Sequence, residues 1–117
     1  MKITLKEALE ILQAIDQLDG YHNGSDKLTF YKYPGDVRLK IAITRRKLRA
    51  IQEDFVEARN KALEQAGDNK TEFANTINDM LKDQVEVDIE PLPSEKFNLD
   101  ENPIPPSVLD LLGSFMR

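Results

Sequence analysis

A helical pattern over residues 36–66 constrains the fold more than any other feature of this sequence. One apolar stripe runs along it at spacings of mostly three and four residues, as in the seam of a coiled coil, and Thr44 interrupts it. Its members are Val37, Ile41, Leu48, Ile51, Phe55, Ala58 and Ala62. At 1.5 Å per residue such a helix is on the order of 45 Å long. We therefore expect the other elements to pack around it.

A second apolar stripe occupies only the first half of the same helix. Leu39, Ile43 and Ala50 lie nearly opposite the first stripe, whereas the second half has charged residues at the same angular positions. A helix that is apolar on two sides packs between two partners. We expect the second partner to be another part of the chain or another subunit. Leu39 and Ile43 are therefore candidate interface residues.

Two further helices are predicted. Thr4 and Glu7 have the spacing of a capping box, which predicts a helix that starts at Thr4, and Gly20 is a suitable helix end. Asp36 is expected to cap the long helix. A third helix is predicted over residues 71–84, where apolar residues recur at helical spacing.

A small antiparallel β element is also predicted. Residues 85–90 alternate without exception between apolar and acidic side chains, which is typical of a half-buried strand. Its partner strand is expected in residues 1–4 or in residues 28–33. Asn23 and Gly24 favour a turn before the second of these segments.

The rest of the chain is rich in proline. Residues 91–106 contain five of the six prolines, so this segment is expected to be extended and to lie over the surface. Ser107 is expected to cap a short terminal helix over residues 107–117. We expect that helix to dock on its own domain. The alternative is that it docks in a neighbouring chain. Its candidate interface residues are Leu111, Leu112 and Phe115.

Length and composition exclude several classes of protein. The chain of 117 residues is long enough for a single domain, 1–117, with its core in residues 1–90. It has no cysteine, so it offers no disulfide framework, thiolate metal site or cysteine nucleophile. Glu7 and Glu10 stand where a signal peptide needs an unbroken apolar run, which argues against one, and no stretch approaches the ~20 apolar residues of a membrane span. We expect a cytoplasmic protein with no membrane contact.

Charge is segregated along the chain. The net charge is -5, which disfavours binding to nucleic acid or to an anionic membrane. Residues 36–51, however, carry six cations and one acid, whereas most of the charged residues between 79 and 101 are acidic. The two blocks either neutralise each other in part, which we favour, or one of them binds a partner of opposite charge.

Three arginines form a candidate anion-binding site. Arg38, Arg45 and Arg49 flank the apolar stripe, where guanidinium groups are able to reach a carboxylate or a phosphate. Their expected partner is the acidic block of residues 79–101. The alternatives are an acidic protein, a nucleotide or a nucleic acid, of which nucleic acid is the weakest because no aromatic residues are interleaved with the arginines.

Nothing in the sequence predicts catalysis. His22 is the one histidine and lies in a predicted loop. The glycines form neither a phosphate loop nor a dinucleotide fingerprint, and the paired carboxylates lack neighbours that would complete a metal shell. We expect a non-enzymatic protein with no catalytic residue, no metal and no cofactor.

Four segments together resemble small, mostly helical proteins of unknown function encoded by phages and prophages. These segments are MKITLKEALEIL, YKYPGDVRLKIA, EDFVEARNKAL and MLKDQVEVDIEPLP, and they cover roughly residues 1–93. The resemblance implies an accessory protein in the host cytoplasm that acts on host machinery, on a defence system or in virion assembly. It transfers no functional residue to this chain.

The sequence therefore predicts a mainly α fold built around one long helix, with a small antiparallel β element and a proline-rich tail that ends in a short helix. The predicted function is binding through protein–protein contacts, with self-association as a homo-oligomer. The alternatives are a binder of an anionic ligand through the three arginines, and an acidic mimic of nucleic acid that uses the carboxylates of residues 79–101.

Overall fold

The fold is mainly α, as predicted. The computed structural model describes residues 1–22 and 27–115. In chain order, the described elements are β1 (Lys2–Thr4), α1 (Leu5–Asp16), β2 (Gly20–His22), β3 (Leu28–Phe30), α2 (Gly35–Ala66), α3 (Lys70–Lys82), β4 (Gln84–Glu86), a 3-10 helix (Ser94–Phe97), α4 (Pro106–Leu112) and a second 3-10 helix (Gly113–Phe115).

Helix α1 begins at the predicted capping box. Thr4 Oγ1 accepts a hydrogen bond from Glu7 N (3.1 Å), and Glu7 Oε1 accepts one from Thr4 N (3.3 Å). The helix ends at Asp16 and not at Gly20, which instead begins β2. Glycine is required there because a Cβ atom would lie 2.2 Å from Thr29 O in the neighbouring strand.

Helix α2 (Gly35–Ala66) is continuous, which confirms the predicted long helix. Asp36 is not its cap: the N-cap is Pro34, which makes no side-chain hydrogen bond. Asp36 lies in the first turn, where a carboxylate interacts favourably with the helix dipole. Lys96 Nζ donates to Asp36 Oδ2 (2.6 Å), and this hydrogen bond holds the pKa of Asp36 below its usual value.

Two separate antiparallel strand pairs are present among the described residues. The pairing of β1 with β4 identifies residues 1–4 as the partner of the strand after α3. Strand β4 covers only Gln84–Glu86, although Val87 N also donates to Met1 O (2.9 Å). The predicted alternation continues beyond β4, because Val87 and Ile89 are buried. The second pair joins β3 to β2, a partner that the sequence did not predict. The predicted turn at Asn23 and Gly24 lies outside the described residues.

The core joins α1, the first half of α2 and the chain after β4 in one hydrophobic cluster. The prediction that residues 91–106 lie over the surface is wrong, because Leu92 and Phe97 are completely buried and Ser94–Phe97 is a 3-10 helix. Prolines flank the buried residues Leu92 and Ile104 on both sides. The largest fully buried side chains are Tyr31, Phe97, Phe115, Leu12, Ile15, Leu18, Leu48, Leu92, Leu112, Val37 and Val108.

Helix α4 docks on its own chain, as the favoured alternative predicted. It begins at Pro106, with Pro105 as N-cap, so Ser107 is not the cap. Proline suits the first turn of a helix because the amide groups there have no intrahelical partner. Leu92 N donates to Phe115 O (2.9 Å), which attaches the end of the described chain to the segment after β4. Residues 116–117 lie outside the described residues.

The second half of α2 and α3 form a less buried arm, which we define as residues 52–82. Ala62 is the one buried residue of α2 after Leu48, and α3 has no buried residue. The molecule is correspondingly flat and elongated, at 49 × 35 × 20 Å. In the described part of the chain, no helix is both long enough and apolar enough to cross a lipid bilayer.

Asn102 attaches the proline-rich segment to the rest of the domain. The side chain is 2% exposed. Its Oδ1 accepts from Lys32 N (2.8 Å), and its Nδ2 donates to Lys32 O (2.9 Å) and to Phe97 O (2.6 Å). One buried amide therefore satisfies three backbone groups of two segments that are distant in sequence.

Replacement of Asn102 should destabilise the protein markedly. We expect Asn102→Ala to lower the free energy of unfolding by about 2 to 4 kcal/mol, because it leaves one buried and two partly buried backbone groups without partners. Urea denaturation followed by circular dichroism measures this change. Asn75→Ala, at an exposed position of α3, is the matched control and should change stability by less than about 0.5 kcal/mol. Equal effects of the two substitutions would contradict this role of Asn102.

Candidate functional site

The first half of α2 presents three sides with different chemistry. One side, which includes Val37, Ile41 and Leu48, is buried in the core. A second side carries the three candidate arginines. The third side carries the second apolar stripe, Leu39, Ile43 and Ala50, and we call it the outer face.

The outer face is only partly covered by the described residues. Leu39 is 61% exposed and Ala50 is also exposed. Ile43, one turn after Leu39, is partly buried and lines a shallow cavity of about 310 Å³ between α2 and the segment that follows β4. Within the described chain, the segment after β4 therefore covers this face only at Ile43, and Leu39 and Ala50 are left exposed.

Charged residues of both signs border this cavity. Lys47 Nζ donates to Asp88 O (2.6 Å) and lies 3.5 Å from Asp88 Oδ2. Lys40 Nζ lies 3.6 Å from Glu90 Oε2. These two lysines therefore make the predicted contact between the basic block and the acidic block. All four side chains remain partly or fully solvent-accessible, so each pair contributes little to stability.

The terminal helix does not add to the outer face. Leu112 and Phe115 are each 1% exposed and belong to the core of their own chain. Leu111 is partly buried against the same core. Leu112 and Phe115 are thus unavailable as interface residues, because they pack in the core of their own chain.

Arg38 contacts the aromatic residues at the base of α2. Its Nη2 donates to Tyr31 O (2.7 Å), and its guanidinium carbon lies 5.8 Å from the centre of the Tyr33 ring. Tyr33 donates its hydroxyl hydrogen to Leu18 O (2.8 Å). Burial raises the pKa of Tyr33, and Tyr31 raises it further, whereas Arg38 lowers it. Arg38 therefore contacts the segment that connects β3 to α2.

Arg45 and Arg49 bind the end of α1. Arg45 Nη2 donates to Ile15 O (3.0 Å) and to Asp19 Oδ1 (2.8 Å), while its Nε lies 3.3 Å from Asp16 Oδ1 without hydrogen-bond geometry. Arg49 Nη2 donates to Asp16 Oδ1 (2.8 Å). The expectation that the arginines meet residues 79–101 is wrong for all three. Cations are favoured at the C-terminal end of α1, where the last carbonyl groups lack helical partners.

The carboxylates of residues 79–101 are all exposed. Three of them are paired within the chain: Asp88 and Glu90 with the lysines of α2, and Glu86 with the amino group of Met1 (3.1 Å). Such internal pairing counts against a mimic of nucleic acid, whose charges should be presented to a partner. His22 is exposed, and within residues 1–22 and 27–115 no group of three or more His, Asp or Glu side chains is placed to hold a metal ion.

A second surface was missed by the sequence reasoning. A groove of about 410 Å³ lies between α2, the end of α3 and the β1–β4 pair, and we call it the acidic groove. Its lining includes Ile51, Phe55, Ala58, Met80 and Val85 together with Asp54, Asp83 and Glu86. The apolar positions were assigned to the core from their spacing alone. An available signal was that neither Asp54 nor Asp83 has a basic residue three or four positions away.

Removal of the Arg45 guanidinium should loosen α1 from α2. We expect Arg45→Gln to lower the free energy of unfolding by about 1 kcal/mol, since it removes two charge-assisted hydrogen bonds at a partly buried position. Thermal or urea denaturation measures the change. Arg46→Gln removes the same charge at an exposed neighbouring position and should have little effect. If both variants lose the same stability, bulk charge and not this contact is responsible.

Comparison with known proteins adds no family to this geometry: no family model, no curated protein and no solved structure matches the chain.

Proposed function

We propose that this protein is a non-enzymatic binding protein that works through protein–protein contacts made by the outer face of α2. The observation that supports this proposal most directly is the exposure of Leu39, at 61%, on the same face as the partly buried Ile43. Covering a leucine or isoleucine side chain contributes about 1.5 to 3 kcal/mol. Two such residues one helical turn apart form a compact centre for an interface.

A second copy of the chain is the partner that this surface fits best. In a two-fold interface the same patch serves both subunits and must be self-complementary. The outer face is compatible with that requirement, because the lysines (Lys40 and Lys47) and acids (Asp88 and Glu90) beside its apolar centre pair within each chain. A two-fold crossing of α2 with its copy at Ile43 therefore covers Leu39 and Ile43 without bringing unpaired like charges together.

A phage-type accessory role belongs to the same proposal. The assembled protein would then act on a host factor, on a defence factor or in virion assembly through further protein contacts. Binding of an anionic ligand has less support, because Arg38, Arg45 and Arg49 are bonded to groups of their own chain. Mimicry of nucleic acid has less support because three of the carboxylates between residues 79 and 101 are paired internally.

A negative charge introduced by substitution on the outer face should dissociate the assembly without unfolding the subunit. We expect the wild-type chain to be a dimer at micromolar concentration by light scattering. Leu39→Asp and Ile43→Asp should each shift it to the mass of a monomer while helical content by circular dichroism is retained, since an interface buries an unpaired carboxylate at high cost.

Leu63→Asp is the matched control for this experiment. Leu63 is another exposed leucine of α2 (52% exposed) but lies outside the outer face, so its substitution should leave the dimer intact. A wild-type mass equal to one chain across the accessible concentration range would refute self-association. Loss of helical content in Ile43→Asp alone would place Ile43 in the core of the monomer and leave Leu39→Asp as the deciding variant.

A further inference from the structure

The acidic groove is a second surface, distinct in position and in charge from the outer face. It opens between the second half of α2 and the end of α3, with the β1–β4 pair at one end. Its apolar lining is incompletely covered: Ile51, Phe55, Met80 and Val85 are all partly exposed. Helix α3 has an apolar face but no buried residue. The apolar side chains of this region are therefore not fully covered by the rest of the chain.

All the charged residues that line this groove are acidic. Glu86 is already paired with the amino group of Met1, at 3.1 Å. Asp54 and Asp83, by contrast, are exposed and their carboxylates make no ion pair or hydrogen bond within the described residues. Two uncompensated carboxylates beside an apolar floor complement a ligand that combines apolar side chains with positive charge.

The shape of the floor favours a helical ligand. Ile51, Phe55 and Ala58 are spaced four and three residues apart and lie on one face of α2 over two turns. An apolar stripe with this spacing packs against the apolar stripe of a second helix, and a small residue such as Ala58 permits close approach. Met80 on the opposite wall has a flexible thioether side chain that adapts to different apolar surfaces.

We propose that the acidic groove binds a basic amphipathic helix of another protein. Leucine or aromatic side chains of that helix occupy the floor between Phe55 and Met80, and lysine or arginine side chains on the borders of its apolar stripe pair with Asp54 and Asp83. This mode of recognition is the docking of an amphipathic helix into an apolar groove. It is independent of the outer face and of any assembly made there.

The test is titration of the full chain with a synthetic amphipathic helix of Leu and Lys, about five turns long, followed by fluorescence anisotropy. The reference peptide has the same composition in an order that breaks the apolar stripe. We expect the amphipathic peptide to bind at least about tenfold more tightly than the reference peptide. Equal affinities would overturn the proposal, because they would show attraction by net charge alone.

Variants of the protein then locate the binding site. Asp54→Asn combined with Asp83→Asn should weaken the amphipathic peptide about tenfold, and Ala58→Phe, which fills the groove without changing charge, should weaken it by a similar factor. Asp100→Asn combined with Glu101→Asn is the matched control, since it removes two exposed carboxylates outside the groove. An equal loss in that control would overturn the assignment of the groove.

A second copy of the chain is the competing occupant. In that case the variant with Asp54→Asn and Asp83→Asn would lower the mass measured by light scattering in the absence of any peptide. That result would overturn the proposal of a foreign helix. A mass unchanged by these substitutions, together with weakened peptide binding, supports it.

Discussion

The burial of one side of the first half of α2 is the constraint on which the rest of the structure depends. Val37, Ile41 and Leu48 are almost completely buried and share one cluster with α1, Tyr31 and the chain after β4. Each such side chain contributes about 1.5 to 3 kcal/mol when it is buried. Because the core is concentrated there, the remaining sides of α2 are left to charged residues and to the outer face, and the arm projects from it with little burial.

Local features of the sequence predicted much of this fold. The capping box at Thr4, the continuity of α2 and the alternation of residues 85–90 depend on neighbours a few residues apart, and these predictions are confirmed. Contacts between distant segments were harder. The arginines were assigned to the wrong acids, because the C-terminal end of α1 attracts cations through its carbonyl groups as well as through Asp16 and Asp19.

The proline-rich segment shows why composition alone misled the sequence reasoning. Prolines predict an extended, accessible backbone, but Leu92, Phe97 and Ile104 between them are buried. Asn102 joins this segment to Lys32 across 70 positions of the chain, and nothing in its local sequence distinguishes it from an exposed asparagine. The acidic groove was missed for a similar reason: spacing shows that Phe55 and Met80 face inward, but not how completely other elements cover them.

The unequal burial of α2 along its length has a consequence for local unfolding. Amide groups in its first half are held by the core and should exchange with solvent only when the whole domain unfolds, whereas those between residues 52 and 66 should be able to open together with α3. One continuous helix then belongs to two cooperative units. The boundary between them falls between Leu48 and residue 52, so amide hydrogens of the arm should exchange faster than those in the first half of the same helix.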